Sequence, residues 1–373
     1  LSGMVVTGLG LASSLDDVVT ACAAARAGIN RARELAAFGA IDDDVVEVVP
    51  IAGHSCHPLT EGFQGDARRI RLGTAALGNL LAYSALQPEE LSRTALFLNV
   101  GSSFLSRVGE SSAGFPEGAP LESGPSSSLA DALCQFGGLP IPQALRFVLR
   151  DDHHGVATVL HDACELLRRR VVERCLIGGI ESFLERKTLE MLAHLRLLKT
   201  VGNPVGFMPG EAAAFFSLER AAPARQRGAR IEAELVTTAL SNEEMHRFSG
   251  PSHGRGLAAA MGNALEAIRD SHSGPVLVLH NLNGDPWRAM EWGTALVRLA
   301  DWEMLREPRA WFPPLSFGET GAATGPLAVC MAVRAFARHY AGSPHALIAM
   351  SSYAGSKGAL VLRDPRWDGL QKR

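Results

Sequence analysis

Two pairs of segments in this chain read as copies of one another, and this internal repeat constrains the fold more than any other feature. Thr94 to Ser102 (Thr-Ala-Leu-Phe-Leu-Asn-Val-Gly-Ser) has the same pattern as Pro275 to Asn283 (Pro-Val-Leu-Val-Leu-His-Asn-Leu-Asn): a hydrophobic strand runs into a polar turn. Arg174 to Ser182 (Arg-Cys-Leu-Ile-Gly-Gly-Ile-Glu-Ser) matches His345 to Tyr353 (His-Ala-Leu-Ile-Ala-Met-Ser-Ser-Tyr) in the same way. The later partners both lie in a second half that opens near Arg230 with the strand-like Ile231-Glu-Ala-Glu-Leu-Val. Two copies of one α/β unit are therefore expected, here placed at 1–225 and 226–373, with the charged, Pro-containing stretch Arg220 to Arg230 as the connector.

Within each copy, short apolar runs alternate with longer helical patterns. Val5-Val6-Thr7 precedes a Gly-rich turn and an Ala-rich helix from about Leu15. Ala95 to Val100, Cys175 to Gly178 and Ala212 to Leu218 read as buried strands. Val156, Val159, Leu160, Ala163, Leu166 and Leu167 fall at helical spacing, so 156–171 reads as an amphipathic helix. This alternation predicts an α/β architecture with buried sheets. Residues 117–128, rich in Gly, Pro and Ser, read as a long loop, a site lid or an interface element.

Composition narrows the function classes. The chain has 373 residues, 47% of them hydrophobic, and a formal net charge of -3, so a large core is available and a clustered basic excess is not. Neither nucleic acid nor a membrane surface is expected as partner. The densest basic run, Arg168-Arg169-Arg170, suits a helix C-terminus, where cations offset the dipole. Six scattered cysteines with no CxxC spacing suggest neither a zinc ribbon nor a redox pair, and imply a reducing, cytoplasmic compartment. No apolar run is long enough to span a bilayer and no signal peptide is visible. His54-Ser55-Cys56-His57 has no second Cys/His pair at metal-site spacing, and Pro58 follows, so it reads as a surface loop. Gly8-Leu9-Gly10 opens like a dinucleotide fingerprint, but Ser13 stands where the third glycine belongs, so no such cofactor is expected.

Five segments, in order along nearly the whole chain, resemble the thiolase / β-ketoacyl synthase superfamily. They are Val5 to Leu15 (the opening strand and turn), Leu176 to Ser182 (similar to "AGGAES"), Pro209 to Glu219 (similar to "GEGAGVLVLE"), Phe317 to Gly325 (similar to "IGHTLGAAG") and Ser351 to Leu362 (similar to "SFGFGGTNAVLVL"). The resemblance implies a duplicated, five-layer αβαβα thiolase-like fold and a dimer whose active sites lie near the interface. It also implies that Glu211, in the Gly210-Glu211 turn, is a structural ion partner.

A Claisen-condensing synthase holds its acyl chain on a cysteine thiolate at a helix N-terminus, where the dipole lowers the thiol pKa. The family carries "TACASG" there. The corresponding stretch here is Arg150-Asp-Asp-His-His-Gly-Val-Ala, with Asp152 or His153 at the nucleophile's position and Cys164 too far along the helix to replace it. The first family histidine corresponds to His280; the second, in "GH", is replaced by Glu319, a carboxylate that would repel an oxyanion. The family lysine falls on Pro314. The gating phenylalanine becomes Tyr353, and Lys357 stands in place of an asparagine; both are assigned to substrate binding. The resemblance thus implies a degenerate set of His280, Glu319, His153 and Asp152 without a condensing triad.

If these residues converge, they form a relic polar pocket, a His–carboxylate acid/base pair or a divalent metal site. The relic pocket is the reading adopted, with no metal and no other cofactor. Two functions follow from the resemblance. One is a non-condensing partner or scaffold, of the chain-length-factor type or an adaptor, pairing with itself, with an active ketosynthase or with another protein. The other is an acyl-thioester enzyme of altered, non-covalent chemistry such as malonyl decarboxylation, acting on acyl carrier protein or coenzyme A thioesters. An open apolar acyl channel would favour the enzyme or a tunnel-forming partner, and a closed site the adaptor.

Overall fold

The computed structural model describes residues 3–42, 47–101, 122, 123, 128–272 and 274–367. The strands and helices expected above are present, the strands with longer bounds. The strands are β1 (Met4–Ser13), β2 (Arg33–Asp42), β3 (Glu47–Gly53), β4 (Thr94–Val100), β5 (Glu122–Ser123), β6 (Arg146–Arg150), β7 (Arg174–Ser182), β8 (Glu211–Arg220), β9 (Ala233–Asn242), β10 (Leu277–His280), β11 (Arg309–Trp311), β12 (His345–Ser351) and β13 (Ser356–Arg363). The helices are α1 (Val18–Arg26), α2 (Gly65–Ser84), α3 (Ser128–Phe136), α4 (Gly155–Arg168), α5 (Arg186–His194), α6 (Ala221–Gln226), α7 (Arg255–Glu266), α8 (Pro286–Arg298), α9 (Pro314–Phe317) and α10 (Thr324–Ala337). The charged connector contains α6, and the arginine run sits at the end of α4. Most of 117–128 lies outside the described residues.

The strands run in the order β11-β10-β12-β13-β9-β1-β8-β7-β4-β6-β5, and β1 pairs with β9 at the centre. Outward from that pair, β1-β8-β7-β4-β6 on one side mirrors β9-β13-β12-β10-β11 on the other. The pairing senses repeat as well: antiparallel, antiparallel, parallel, parallel in each half. The repeated segments in the sequence are β4 with β10 and β7 with β12, which occupy equivalent places in the two sets.

Helices fill three layers around these two sets of strands. α2 packs outside the first set and α7 outside the second, while α4 and α10 lie between them and touch strands of both. α10 is buried from Thr324 to Phe336, as an all-round apolar helix must be when sheets cover both its sides. α4 buries Val156, Val159, Leu160, Ala163 and Leu167, each large side chain contributing about 1.5–3 kcal/mol on removal from water. Cys164 is buried with them, and all six cysteines are free and buried. Among the described residues no helix is long and apolar enough to cross a membrane.

Two glycines in the middle of β7 explain how the layers approach each other. A Cβ on Gly178 would lie 2.0 Å from the Phe215 ring, and one on Gly179 would lie 2.1 Å from the Ala322 carbonyl oxygen. The loop that carries Glu319 can therefore lie directly on the sheet.

Candidate functional site

The turn between β6 and α4 carries Asp151, Asp152, His153 and His154. Asn99 of β4 pins it, accepting from the Asp151 N–H at 3.1 Å and donating to the Asp152 carbonyl at 3.0 Å. Gly155 follows because a Cβ there would meet the Asn99 side chain at 2.3 Å. The Asp152 carboxylate accepts from Ser352 Oγ at 2.7 Å, and His154 Nε2 lies 3.0 Å from Asp151 Oδ2.

Opposite stands Glu319. Gly318, at φ +71°, makes the left-handed turn that presents it. The Glu319 N–H donates to the Met208 carbonyl at 2.8 Å, and its carbonyl accepts from the Gly210 N–H at 2.9 Å. The side chain meets His153 Nε2 at 2.7 Å and accepts from the Gly321 N–H at 2.9 Å and from Asn283 Nδ2 at 2.5 Å. The Arg288 guanidinium lies 3.7 Å away. Glu319 and Arg288 are fully buried and His153 is 1% exposed. Burial disfavours the imidazolium, but the Glu319 carboxylate outweighs it and raises the His153 pKa to about 9. Burial likewise works against the carboxylate, yet His153 and then Arg288 hold Glu319 at about 2. His153 and Glu319 are therefore a charged pair at neutral pH.

His280, expected in the same cluster as a hydrogen-bond donor, takes another arrangement. Its Nδ1 lies 2.7 Å from the Ala349 carbonyl and its ring stacks on Trp292 with centroids 4.6 Å apart. A carbonyl only accepts, so the proton sits on Nδ1. Burial lowers the pKa to about 3, the ring stays neutral, and Nε2 carries a lone pair rather than an N–H.

Tyr353 is 5% exposed and closes the cluster. Its hydroxyl accepts from Asn283 at 2.9 Å, Arg288 lies over its ring at 4.1 Å, and it meets the His153 ring nearly at right angles. Burial raises its pKa above the ordinary phenol range. Lys357, assigned to substrate binding, is fully buried and committed elsewhere: its ammonium meets Glu291 at 2.7 Å, Ser351 Oγ at 2.8 Å and the Ser352 carbonyl at 3.0 Å. Burial lowers its pKa despite Glu291.

The structure thus brings together His153, Glu319, Asp152 and Tyr353, with His153 rather than Asp152 facing Glu319, and leaves His280 and Lys357 bound to other partners. Asn283, Arg288 and Glu291 were missed in the sequence. Their signal was local: Asp285 and Pro286 cap and start α8, after which Arg288, Glu291, Trp292 and Ala295 share its buried face. Charged residues on an apolar stripe mark an internal polar network. Among the described residues no group of three or more His, Cys, Asp or Glu side chains is arranged to hold a metal ion.

The reading of His54 to His57 as a surface loop needs correction. His54 is fully buried, and its N–H donates to the Pro209 carbonyl at 2.8 Å. Cys56 is 3% exposed because its N–H serves the Glu211 carboxylate at 2.8 Å; only from His57 does the chain reach solvent. Glu211 is the internal ion partner expected, bound by Arg68 at 2.5 Å.

No family model matches the sequence. Over 143 residues the chain is 29% identical to 3-oxoacyl-[acyl-carrier-protein] synthase 2 of Rhizobium meliloti (strain 1021), a match that covers 33% of the chain and 34% of that protein. The match therefore spans about a third of the length of this curated relative. Solved structures align over much more. An oxazolomycin ketosynthase domain of Streptomyces albus JA3453 aligns with 97% of the chain and 74% of its own length, at TM-score 0.74 and 19% identity. The ishigamide ketosynthase/chain length factor aligns with 96% of the chain and 98% of its own length, at TM-score 0.75 and 19% identity. The ketosynthase of a type II polyketide system, solved with its acyl carrier protein, reaches 0.75 at 15% identity, covering 96% of the chain and 98% of its own length. The fold is the thiolase-like fold of the ketosynthases and chain length factors.

Proposed function

We propose that this chain is a ketosynthase-fold protein that does not condense acyl groups and serves as a partner or scaffold, either of the chain-length-factor kind or as an adaptor for another protein. Its duplicated halves are 1–225 and 226–373. The observation that carries this reading is the His153–Glu319 pair. At the α4 N-terminus, where a condensing enzyme needs a thiolate, a buried imidazolium is bound to a buried carboxylate, and no cysteine stands there. Neither group can hold a thioester, and the lone pair on His280 Nε2 cannot donate to an oxyanion. Loss of one member of such a unit commonly lowers the rate by several orders of magnitude. The burial of the cluster favours an adaptor over an enzyme.

The second reading, malonyl decarboxylation, draws on His280, whose Nε2 has no hydrogen-bond partner. One experiment decides between them. The purified protein is incubated with malonyl and medium-chain acyl thioesters of coenzyme A and acyl carrier protein, and intact mass and released products are followed beside a His280→Ala control. The expected result is no adduct and no decarboxylation above that control. Malonyl turnover that His280→Ala abolishes would replace the partner reading with the enzyme.

A further inference from the structure

The guanidinium of Arg288 is fully buried, yet it is only partly engaged. Nη1 donates to the Asn281 carbonyl at 2.9 Å and lies 3.7 Å from Glu319. Among the described residues Nε and Nη2 have no acceptor. These two N–H groups point to the same side of the planar group and form the edge that grips a carboxylate with two parallel hydrogen bonds. Buried donors are normally satisfied, and charged ones most of all, so two adjacent orphans on one fork are a specific signal.

The neighbouring carboxylates do not supply that acceptor. The His153 and Arg288 cations face two carboxylates, Glu319 and Asp152, whose Oδ1 lies 3.4 Å from His153 Nδ1, and among the described residues neither carboxylate bonds the Nε/Nη2 edge. The nearby acids are already matched: Glu291 with Lys357 at 2.7 Å, and Asp285 with Arg247 at 2.9 Å. Asp152 sits at the rim, its side chain 17% exposed, with one oxygen held by Ser352 and the other 3.4 Å from His153 Nδ1. His280 Nε2 offers a lone pair and therefore does not compete for an anion.

We propose that the Nε/Nη2 edge of Arg288 is an internal binding site for a single small carboxylate, with Tyr353 as its cover and the Asp152 rim as its approach. Arg288 lies against the Tyr353 ring at 4.1 Å, so the ligand is a few heavy atoms, or the terminal carboxylate of a longer molecule that enters past Tyr353. This inference is independent of the proposed function. Binding without turnover leaves the partner reading intact, and turnover would remove that reading without touching the site.

The test titrates the wild-type full chain at constant ionic strength with sodium formate and sodium acetate, and separately with malonyl-coenzyme A against acetyl-coenzyme A. Calorimetry reads binding, and ¹⁵N–¹H spectra read the arginine Nε–H signals. Saturable binding of the free acids, or of malonyl- but not acetyl-coenzyme A, is expected in at least one arm, and the arm that responds identifies the source of the carboxylate. A buried Arg288 Nε–H signal should shift on saturation. Arg288→Lys keeps the charge but loses the fork, and should weaken binding at least tenfold. No saturable binding in any arm overturns the site, as does an Arg288→Lys protein that binds as tightly as wild type. If that variant does not fold, the wild-type Nε–H signal decides: an unmoved signal under saturating ligand overturns the assignment.

Discussion

Glu319 bridges to Pro209, two residues before Glu211; both glutamates are fully buried, and the molecule treats them differently. Glu211 accepts from the Cys56 N–H at 2.8 Å, Thr60 Oγ1 at 2.6 Å, Ser182 Oγ at 2.9 Å and two nitrogens of Arg68. Both of its oxygens are occupied, one by three donors and the other by two. Glu319 is also well bound, but its neighbourhood keeps unpartnered nitrogens on Arg288 and His280. A saturated network fixes a structure. An unsaturated one in the same core carries groups that packing alone does not explain. The first ties the loop at Cys56 and α2 to β8, whereas the second joins the α4 N-terminus to the Glu319 loop.

This contrast can be broken most directly at Glu211. Glu211→Ala strands Arg68 and three further donors, and urea unfolding should show a loss of about 3–5 kcal/mol. A loss below about 1 kcal/mol would mean that the network is ornamental. Glu319→Gln should cost less, about 1–3 kcal/mol, because His153 can shed its proton once the carboxylate is gone. A double-mutant cycle with His153→Phe should give a coupling above about 1 kcal/mol. Additive effects would contradict the 2.7 Å pair.

The smallest effect is on pH dependence. Folding raises the His153 pKa from 6.5 to about 9, so the stability this group contributes is complete below 6.5 and is lost as pH rises through about 9. Folding lowers Glu319 from 4.5 to about 2, so its contribution is present above 4.5 and lost as pH falls through about 2. Unfolding free energies from pH 6 to 9.5 should decline for wild type and decline less for His153→Gln. Equal slopes would show that the folded protein does not hold the imidazolium.

Much of the fold was legible in the chain because its signals are local or repeated. Short continuous apolar runs located β4, β7 and β8, a 3.6-residue periodicity located α4, and the two matched segment pairs named the strands that prove equivalent in the two sets. The candidate site was legible only as a set of positions. Asp152, His153 and Glu319 were singled out because the resemblance matches them to the family's nucleophile and one of its histidines. The sequence left open which of Asp152 and His153 faces Glu319, since one residue of phase at a helix start decides it. His54 and Cys56 were misplaced because their burial depends on Pro209 and Glu211, more than 150 positions away.

The sequence by itself determined the alternation of strands and helices, the duplication, and the absence of a cysteine at the start of α4. Those properties follow from side-chain volume, periodicity and residue identity along the chain. Only the tertiary structure decided that His153 is charged, that His280 offers a lone pair, that Lys357 is bound to Glu291, and that one edge of Arg288 has no acceptor. Protonation and hydrogen bonding depend on what lies within a few ångströms in space, and burial enlarges those interactions until they override a residue's ordinary chemistry.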